Sequence, residues 1–136
     1  MRLVLDTNVV LKALIRNSKV RAVLLGPTHQ FLIPEYGIEE ARKHVSRVVK
    51  KCGLSEGEVN VVFDALLSNM QLIPSERILG RWKEAEQIMA GIDREDVPFL
   101  AAALSTTCDG IWSDDAHLRR QKRVKVWTTK EVFEFN

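Results

Sequence analysis

The stretch RLVLDTNVVLKAL at residues 2–14 joins a short apolar run, a polar turn and an amphipathic pattern. Residues 2–5 favour a β-strand, residues 6–8 form the turn, and the apolar spacing that follows favours a helix. Apolar runs and helical patterns keep alternating along the rest of the chain. Strands separated by helices pair in parallel through right-handed crossovers. The sequence therefore predicts an α/β fold, a three-layer α/β/α sandwich around a central, mainly parallel sheet.

The other elements follow from the same periodicities and from turn residues. Ser55 and Glu58 form a predicted capping box at the start of one helix, and Gly53 is the predicted stop of the helix before it. The predicted strands after the first are residues 30–33, 70–73, 110–112 and 124–127. The main predicted helices cover about residues 9–14, 20–25, 34–52, 55–67, 78–89 and 97–107, with a last short helix capped by Thr128.

Length and composition bound the class of protein. The chain has 136 residues, the size of one average domain, so we expect a single domain over residues 1–136. With 46% hydrophobic and 28% charged residues it is too apolar to be disordered. No apolar run reaches the ~18–20 residues of a membrane span, and no signal-peptide pattern follows Met1, so we expect a cytoplasmic protein without membrane contact. Cys52 and Cys108 lack the spacing of a metal site or a disulfide framework.

Acidic residues cluster where the predicted strands end. Asp6 follows the first strand, Asp114 and Asp115 follow the fourth, and Asp93 and Asp96 open the helix before that strand. Ligands of open parallel sheets bind beyond the carboxyl ends of the strands. Carboxylates that converge there repel one another and resist ionisation, and a bound cation is the usual remedy. Oxygen ligands indicate Mg²⁺ or Mn²⁺.

Each acid also has a purely structural alternative. Asp6 is a candidate cap for the helix that follows it, and Asp93 is a candidate N-cap with Asp96 as a first-turn acid. Asp114 or Asp115 is a candidate cap for the turn at residues 116–118. These alternatives weaken when the acids are taken together, because capping does not require several carboxylates at one edge of a sheet.

Four segments carry a resemblance to a known family. They are LVLDTN at 3–8, PEYGIEEA at 34–41, DVPFLAAA at 96–103 and IWSDDAHL at 111–118. In this order, at these strand ends, they resemble the motifs of the PIN-domain family of metal-dependent nucleases, and the resemblance covers essentially the whole chain. It implies a PIN-like fold and hydrolysis of phosphodiesters with one or two Mg²⁺ or Mn²⁺ ions held by carboxylates.

The resemblance implies a role for each matching residue. In the second motif the acid stands directly before an apolar residue, a register that selects Glu40 over Glu39. Asp114 stands where the family usually has Asn, Gly or Arg, so it competes with Asp115 for the metal. The implied catalytic metal ligands are Asp6, Glu40, Asp96 and Asp115, with Asp93 as an auxiliary or second-metal ligand and Asn8 and Ser113 as orienting residues.

Substrate and partners also follow only from the resemblance. Most small single-domain members are ribonucleases, and many are the toxins of VapC-type toxin–antitoxin pairs. The resemblance therefore implies an RNA substrate, an antitoxin protein as partner and a homodimer, for which the helices within residues 55–89 are candidates. The different-class alternative is a PIN-like module that binds RNA or protein in an RNA-processing complex without cleaving. That module is expected to lack one or more acids, and all four are present here.

Basic residues suggest how RNA reaches the acids. His44, Arg47 and Lys51 follow Glu40 at i+4, i+7 and i+11, which places them in one row along a helix. We hypothesise that this row binds the phosphate backbone, supported by Arg119 and Arg120 in a second basic cluster that continues to Arg123. The alternative is that both groups are solvated faces.

Two other folds also place acids at the ends of parallel strands. A phosphotransfer receiver domain needs a paired acid at the first strand, and Asp6 stands alone there. A haloacid-dehalogenase-like phosphatase needs a second Asp at position 8, where this chain has Asn8.

Overall fold

The centre of the molecule is a five-stranded sheet, seen in a computed structural model that describes residues 1–135 except the side chain of Cys52. The strands are β1 (Arg2–Leu5), β2 (Gln30–Pro34), β3 (Met70–Ile73), β4 (Gly110–Trp112) and β5 (Val126–Trp127). Their order is β3-β2-β1-β4-β5, and each neighbouring pair runs parallel. The predicted α/β fold is confirmed, with a sheet that is parallel throughout.

Helices connect the strands on both faces of the sheet. They are α1 (Thr7–Ala13), α2 (Lys19–Leu25), α3 (Glu35–Cys52), α4 (Glu56–Ser68), α5 (Ser75–Leu79), α6 (Trp82–Met89), α7 (Val97–Leu104) and α8 (Thr129–Phe135), with a 3₁₀ turn at Leu118–Arg120. Within residues 1–135, no helix has both the length and the apolar character needed to cross a bilayer.

Two apolar cores, one on each face, create the three layers. Leu3 and Leu5 of β1 are buried with residues of α1–α4 and α8, whereas Val4 is buried with residues of α5–α7. This separation follows from the period of two along a strand, which sends successive side chains to opposite faces. The sheet is therefore covered on both sides, and its strand ends remain the open edge.

Local signals in the sequence were correct at several helix ends. Ser55 and Glu58 form the predicted capping box of α4, and Gly53 ends α3 at φ 74°, a left-handed conformation that favours glycine. The apolar stripe that the sequence predicts along α3 ends at Cys52, whose side chain lies outside the described atoms. Cys108 is a free cysteine.

Three predicted boundaries were wrong. The helix predicted over residues 78–89 is two helices, because Gly80 has a low helix propensity and Arg81 leaves the helical region at φ −116°. The helix predicted to residue 107 ends at Leu104. The fifth strand begins late, because the Gln121 side chain bonds both the N–H and the C=O of Val124, at 3.0 and 2.8 Å, in place of a strand partner.

The strand order positions the site. β1 and β4 are central neighbours, and the chain leaves them toward opposite edges of the sheet. This is the switch point of a doubly wound sheet, where a crevice opens beyond the strands. The Asp6 N–H donates to the Trp112 carbonyl at 3.2 Å, so the residues that follow the two strands lie side by side.

Candidate functional site

A cavity of about 180 Å³ opens at the carboxyl ends of β1 and β4, and we call it the acidic cavity. Its acids come from four separate segments: the end of β1, the start of α3, the turn before α7 and the loop after β4. Asn8 and His44 also line it. The structure thus brings together the five acids that the family motifs assign to the metal, namely Asp6, Glu40, Asp93, Asp96 and Asp115.

Asp6 is buried, and each of its carboxylate oxygens accepts a hydrogen bond. It occupies the N-cap of α1, where Oδ1 accepts from the Asn8 N–H at 3.5 Å, so the capping alternative is also true for this residue. Oδ2 accepts from the Ser113 hydroxyl at 2.6 Å. Burial raises the pKa of Asp6 above its ordinary value, although the bonds from Ser113 and Asn8 oppose the rise.

Asp96 is the least satisfied acid of the cavity. It stands at the N-cap position of α7, yet its side chain makes no capping bond, and its buried Oδ2 has no hydrogen-bond partner. The residue is only 6% exposed. Burial, and then the charges of Asp115, Asp6 and Asp93, raise the pKa of Asp96 to about 7. A first-turn acid satisfied by the helix dipole does not explain these features.

Asp93 and Asp115 meet at the rim of the cavity. Asp93 accepts from the Glu95 N–H at 2.9 Å in the turn before α7, so Asp93 is not the N-cap of that helix. Asp115 accepts from the His117 N–H at 2.7 Å. His117 approaches both acids. The sequence analysis did not place it there, although the Asp-x-His spacing of such a turn was visible.

Asp114 points to different partners. Its Oδ2 accepts from the Lys12 ammonium at 2.9 Å, and its Oδ1 accepts from the Thr129 N–H at the start of α8 at 2.8 Å. Burial opposes ionisation, but the bonds from Lys12 and Thr129 outweigh it and hold the pKa of Asp114 below its ordinary value. The lining of the acidic cavity includes Asp115 and not Asp114.

Glu40 contributes from α3 and is partly exposed. Its carboxylate lies 3.4 Å from the Lys43 ammonium and 3.8 Å from His44 Nε2. Tyr36, one turn earlier, also lines the cavity and was missed, although its i, i+4 spacing to Glu40 was visible in the sequence. Burial, and then the charges of Glu40 and Glu95, raise the pKa of Tyr36.

The structure separates the two basic groups. Arg47 and Lys51 line an adjoining cavity of about 390 Å³, which shares Asp6, Asn8 and Asp115 with the acidic cavity. Arg119 and Arg120 line another cavity together with Lys122 and Arg123, and none of its described lining residues belongs to the acidic cavity. Only the row on α3 is therefore continuous with the acids.

The donor set fits a divalent cation. The cavity offers carboxylate oxygens, one of which, Asp96 Oδ2, is buried without a partner. Mutual repulsion contributes to the raised pKa of Asp96, and a cation relieves that repulsion. Among the described residues, the ligand atoms that lie within 4.8 Å of one another are those of Asp93, Asp115 and His117.

The fold and the cavity define a class: a doubly wound α/β protein with converging carboxylates at the switch point of its sheet. A sequence model of the PIN domain matches residues 4–134. The chain belongs to the PIN-domain family, as the four motifs predicted.

A solved structure shares the whole fold. It is one chain of the crystal structure of VapBC2 from Rickettsia felis, which was solved bound to a DNA fragment from the VapBC2 promoter. The two chains are 16% identical in sequence and superpose with a TM-score of 0.69. The match covers 94% of this chain and 98% of that chain. No curated protein matches the sequence of the chain.

Proposed function

We propose that this protein is a divalent-cation-dependent endoribonuclease that hydrolyses RNA phosphodiesters. The observation that carries the proposal is Asp96, a buried acid with an unpartnered oxygen among the other carboxylates of one cavity. Membership of the PIN-domain family supports the same function.

Each acid has a task in this proposal. Asp6, Glu40, Asp96 and Asp115 hold Mg²⁺ or Mn²⁺, and Asp93 assists at the rim. When bound, the cation supplies positive charge that offsets negative charge developing on the phosphate oxygens. Ser113 fixes the orientation of Asp6 through its hydroxyl, and Asn8 fixes it through its backbone N–H.

The α3 row brings the substrate to the acids. His44 lines the acidic cavity, and Arg47 and Lys51 line the adjoining one, so the side chains of this row continue from Glu40 along one path. Phosphates bound along this row place a neighbouring phosphodiester at the carboxylates. Arg119 and Arg120 lie on a separate surface, which makes them a weaker candidate for the same path.

The partners of the protein belong to the same proposal. We infer an antitoxin partner, supported by the similarity of the fold to a chain of a VapBC complex. Co-purification with the product of the adjacent open reading frame tests this inference. We infer a homodimer as well, and the exposed Leu79, within the segment 55–89, is a candidate contact at 66% exposure. Light scattering of wild type and Leu79→Ser tests this contact.

Cleavage of a pool of labelled single-stranded RNAs tests the central proposal. Wild type, Asp96→Asn and the control Asp114→Asn are compared in Mn²⁺, Mg²⁺ or EDTA. We expect metal-dependent cutting by wild type and by Asp114→Asn, and loss of cutting in Asp96→Asn. RNA binding by wild type without cutting in either metal contradicts the proposal and favours the non-cleaving module.

A further inference from the structure

We propose that His117 is a metal ligand, together with Asp93 and Asp115, at the rim of the acidic cavity, and that its imidazole makes this position prefer Mn²⁺ over Mg²⁺. The inference rests on the proposed function, because it concerns the same cation centre. It adds a nitrogen ligand to a set of oxygen ligands, and that addition changes which cation is selected.

The backbone places the His117 ring at the acids. Asp115 Oδ1 accepts from the His117 N–H at 2.7 Å, and this tight turn brings the ring back toward the carboxylate. His117 Nδ1 lies 3.3 Å from Asp93 Oδ2 and 3.8 Å from Asp115 Oδ1. The acids come from the turn before α7 and the loop after β4, so two separate segments converge on one ring.

These distances suit a shared cation. The ligand atoms of Asp93, Asp115 and His117 all lie within 4.8 Å of one another. Two ligands on opposite sides of a small divalent cation, each at about 2.0–2.2 Å, are about 4.0–4.4 Å apart. Small side-chain movements therefore suffice for binding. The His117 side chain is 56% exposed, which leaves this position open to a cation from solvent.

A simple ion pair leaves one observation unexplained. Contacts with the His117 ring give Asp93 and Asp115 a partner, but they give none to the Oδ2 of Asp96. Asp96 lines the same cavity as those two acids, is 6% exposed, and has a buried Oδ2 without a partner. A buried carboxylate oxygen in this condition indicates that a cation, rather than the histidine alone, satisfies the cluster.

The chemistry of the ligands then gives the selectivity. Mg²⁺ favours oxygen ligands in near-ideal octahedral geometry and gives up its waters reluctantly. Imidazole nitrogen suits transition cations such as Zn²⁺ and Fe²⁺, whereas carboxylate suits Mn²⁺ as well as Mg²⁺. Of the two cations proposed for this cavity, only Mn²⁺ belongs to the first-row transition series, so the added nitrogen ligand distinguishes it from Mg²⁺. A position with two carboxylates and one imidazole therefore favours Mn²⁺, whereas the all-carboxylate part of the cavity accepts either cation.

Metal binding by wild type, His117→Ala and His117→Asp tests the proposal without any cleavage assay. Isothermal titration of metal-free protein gives the Mn²⁺ and Mg²⁺ affinities, and circular dichroism confirms that each variant is folded. Loss of an outer-shell partner costs a metal site at least about 10-fold in affinity, so in His117→Ala, which removes a ligand, we expect Mn²⁺ affinity at the rim to fall by at least that much, with a much smaller change for Mg²⁺. In His117→Asp, which restores an oxygen ligand, we expect the preference to shift toward Mg²⁺.

Pulsed EPR of the Mn²⁺-loaded protein gives an independent readout. We expect ¹⁴N coupling in wild type and in the matched control His44→Ala, and its loss in His117→Asp. An unchanged Mn²⁺ to Mg²⁺ ratio in both His117 variants overturns the inference, as does coupling that disappears only in His44→Ala. Either result leaves the proposed function standing if Asp96→Asn abolishes Mn²⁺ binding, because the cation then binds at the acids without His117. Wild type that binds neither cation overturns both.

Discussion

The Ser113 hydroxyl donates to Asp6 Oδ2 at 2.6 Å and accepts from the Asp115 N–H at 3.0 Å. One fully buried oxygen therefore connects the acid after β1 to the acid after β4. The two strands are hydrogen-bonded neighbours, so this link fixes the spacing of two carboxylates across the switch point.

Ser113→Ala is expected to weaken cation binding most strongly at low pH. The Ser113 bond lowers the pKa of Asp6, so its loss raises that pKa further and leaves less of the ionised form. Carbon-13 NMR titration of the Asp6 carboxyl and Mn²⁺ titrations near pH 6 and pH 8 measure the effect. The control is Ser105→Ala, because the Ser105 hydroxyl donates to the Ala102 carbonyl and Ser105 does not line the acidic cavity. Equal weakening at both pH values contradicts the prediction.

Asp96→Asn is expected to stabilise the metal-free protein at neutral and alkaline pH. The pKa of Asp96 is about 7 in the folded chain against an ordinary value of 3.8, so the folded state binds this proton more tightly. The stability that the proton provides is present at low pH and is lost as pH rises through about 7. The substituted asparagine side chain does not ionise, so the variant avoids that loss.

The size of this effect is on the order of 2–4 kcal/mol near pH 8, fading toward pH 4. Urea denaturation in EDTA across that range measures it. Asp114→Asn has the opposite expected sign. The pKa of Asp114 is lowered from its ordinary value of 3.8, so the ionised carboxylate stabilises the fold above about pH 4, and that stability is lost as pH falls further. A wild type more stable than Asp96→Asn at pH 8 would sink the prediction.

Asp115→Asn and Asp114→Asn are expected to behave differently although the residues are adjacent. Asp115 lines the acidic cavity, so its loss removes a ligand and abolishes stabilisation by Mn²⁺, which is about 2.7 kcal/mol for wild type at a hundred times the dissociation constant. Asp114 bonds Lys12 and Thr129, and an asparagine there retains the bond to the Thr129 N–H, so Mn²⁺ stabilisation persists. Thermal melts with and without Mn²⁺ compare them. The reverse pattern assigns the ligand to Asp114.

Replacement of both Arg47 and Lys51 by alanine is expected to flatten the salt dependence of RNA binding. Each phosphate contact on a single strand contributes about 0.7 to the logarithmic salt slope, so two lost contacts reduce it by about 1.4. Fluorescence anisotropy in EDTA, which stops cleavage, measures the slope. Alanine at both Arg119 and Arg120 removes equal charge on the separate surface and is expected to change the slope less. Equal changes in the two double variants contradict the assignment.

Local patterns in the sequence predicted most of the fold. The apolar periods predicted every strand and the layered order, because each period reflects which faces are buried. The capping box at Ser55 and the glycine stop at Gly53 were also readable, since such signals act within a few residues. The break at Gly80 was missed because the apolar pattern continues across it.

Most acids of the site could also be predicted from the sequence. Asp6, Asp96 and Asp115 stand at strand or helix ends, and a parallel sheet brings such ends to one edge. Glu40 needed the resemblance, because nothing in the spacing of α3 alone separates a metal ligand from a surface acid. The choice between Asp114 and Asp115 stayed open, because both follow β4 directly and only the directions of their side chains decide which one reaches the cavity.

The sequence by itself determined which residues are apolar, where strands end and which acids follow them. Only the tertiary structure decided that Asp114 joins Lys12 and Thr129, that Arg119 and Arg120 lie apart from the acids, and that His117 meets Asp93. These facts depend on contacts between segments distant in the chain. Strand periodicity records burial, whereas side-chain direction beyond a strand end is set by packing and hydrogen bonds that no local pattern contains.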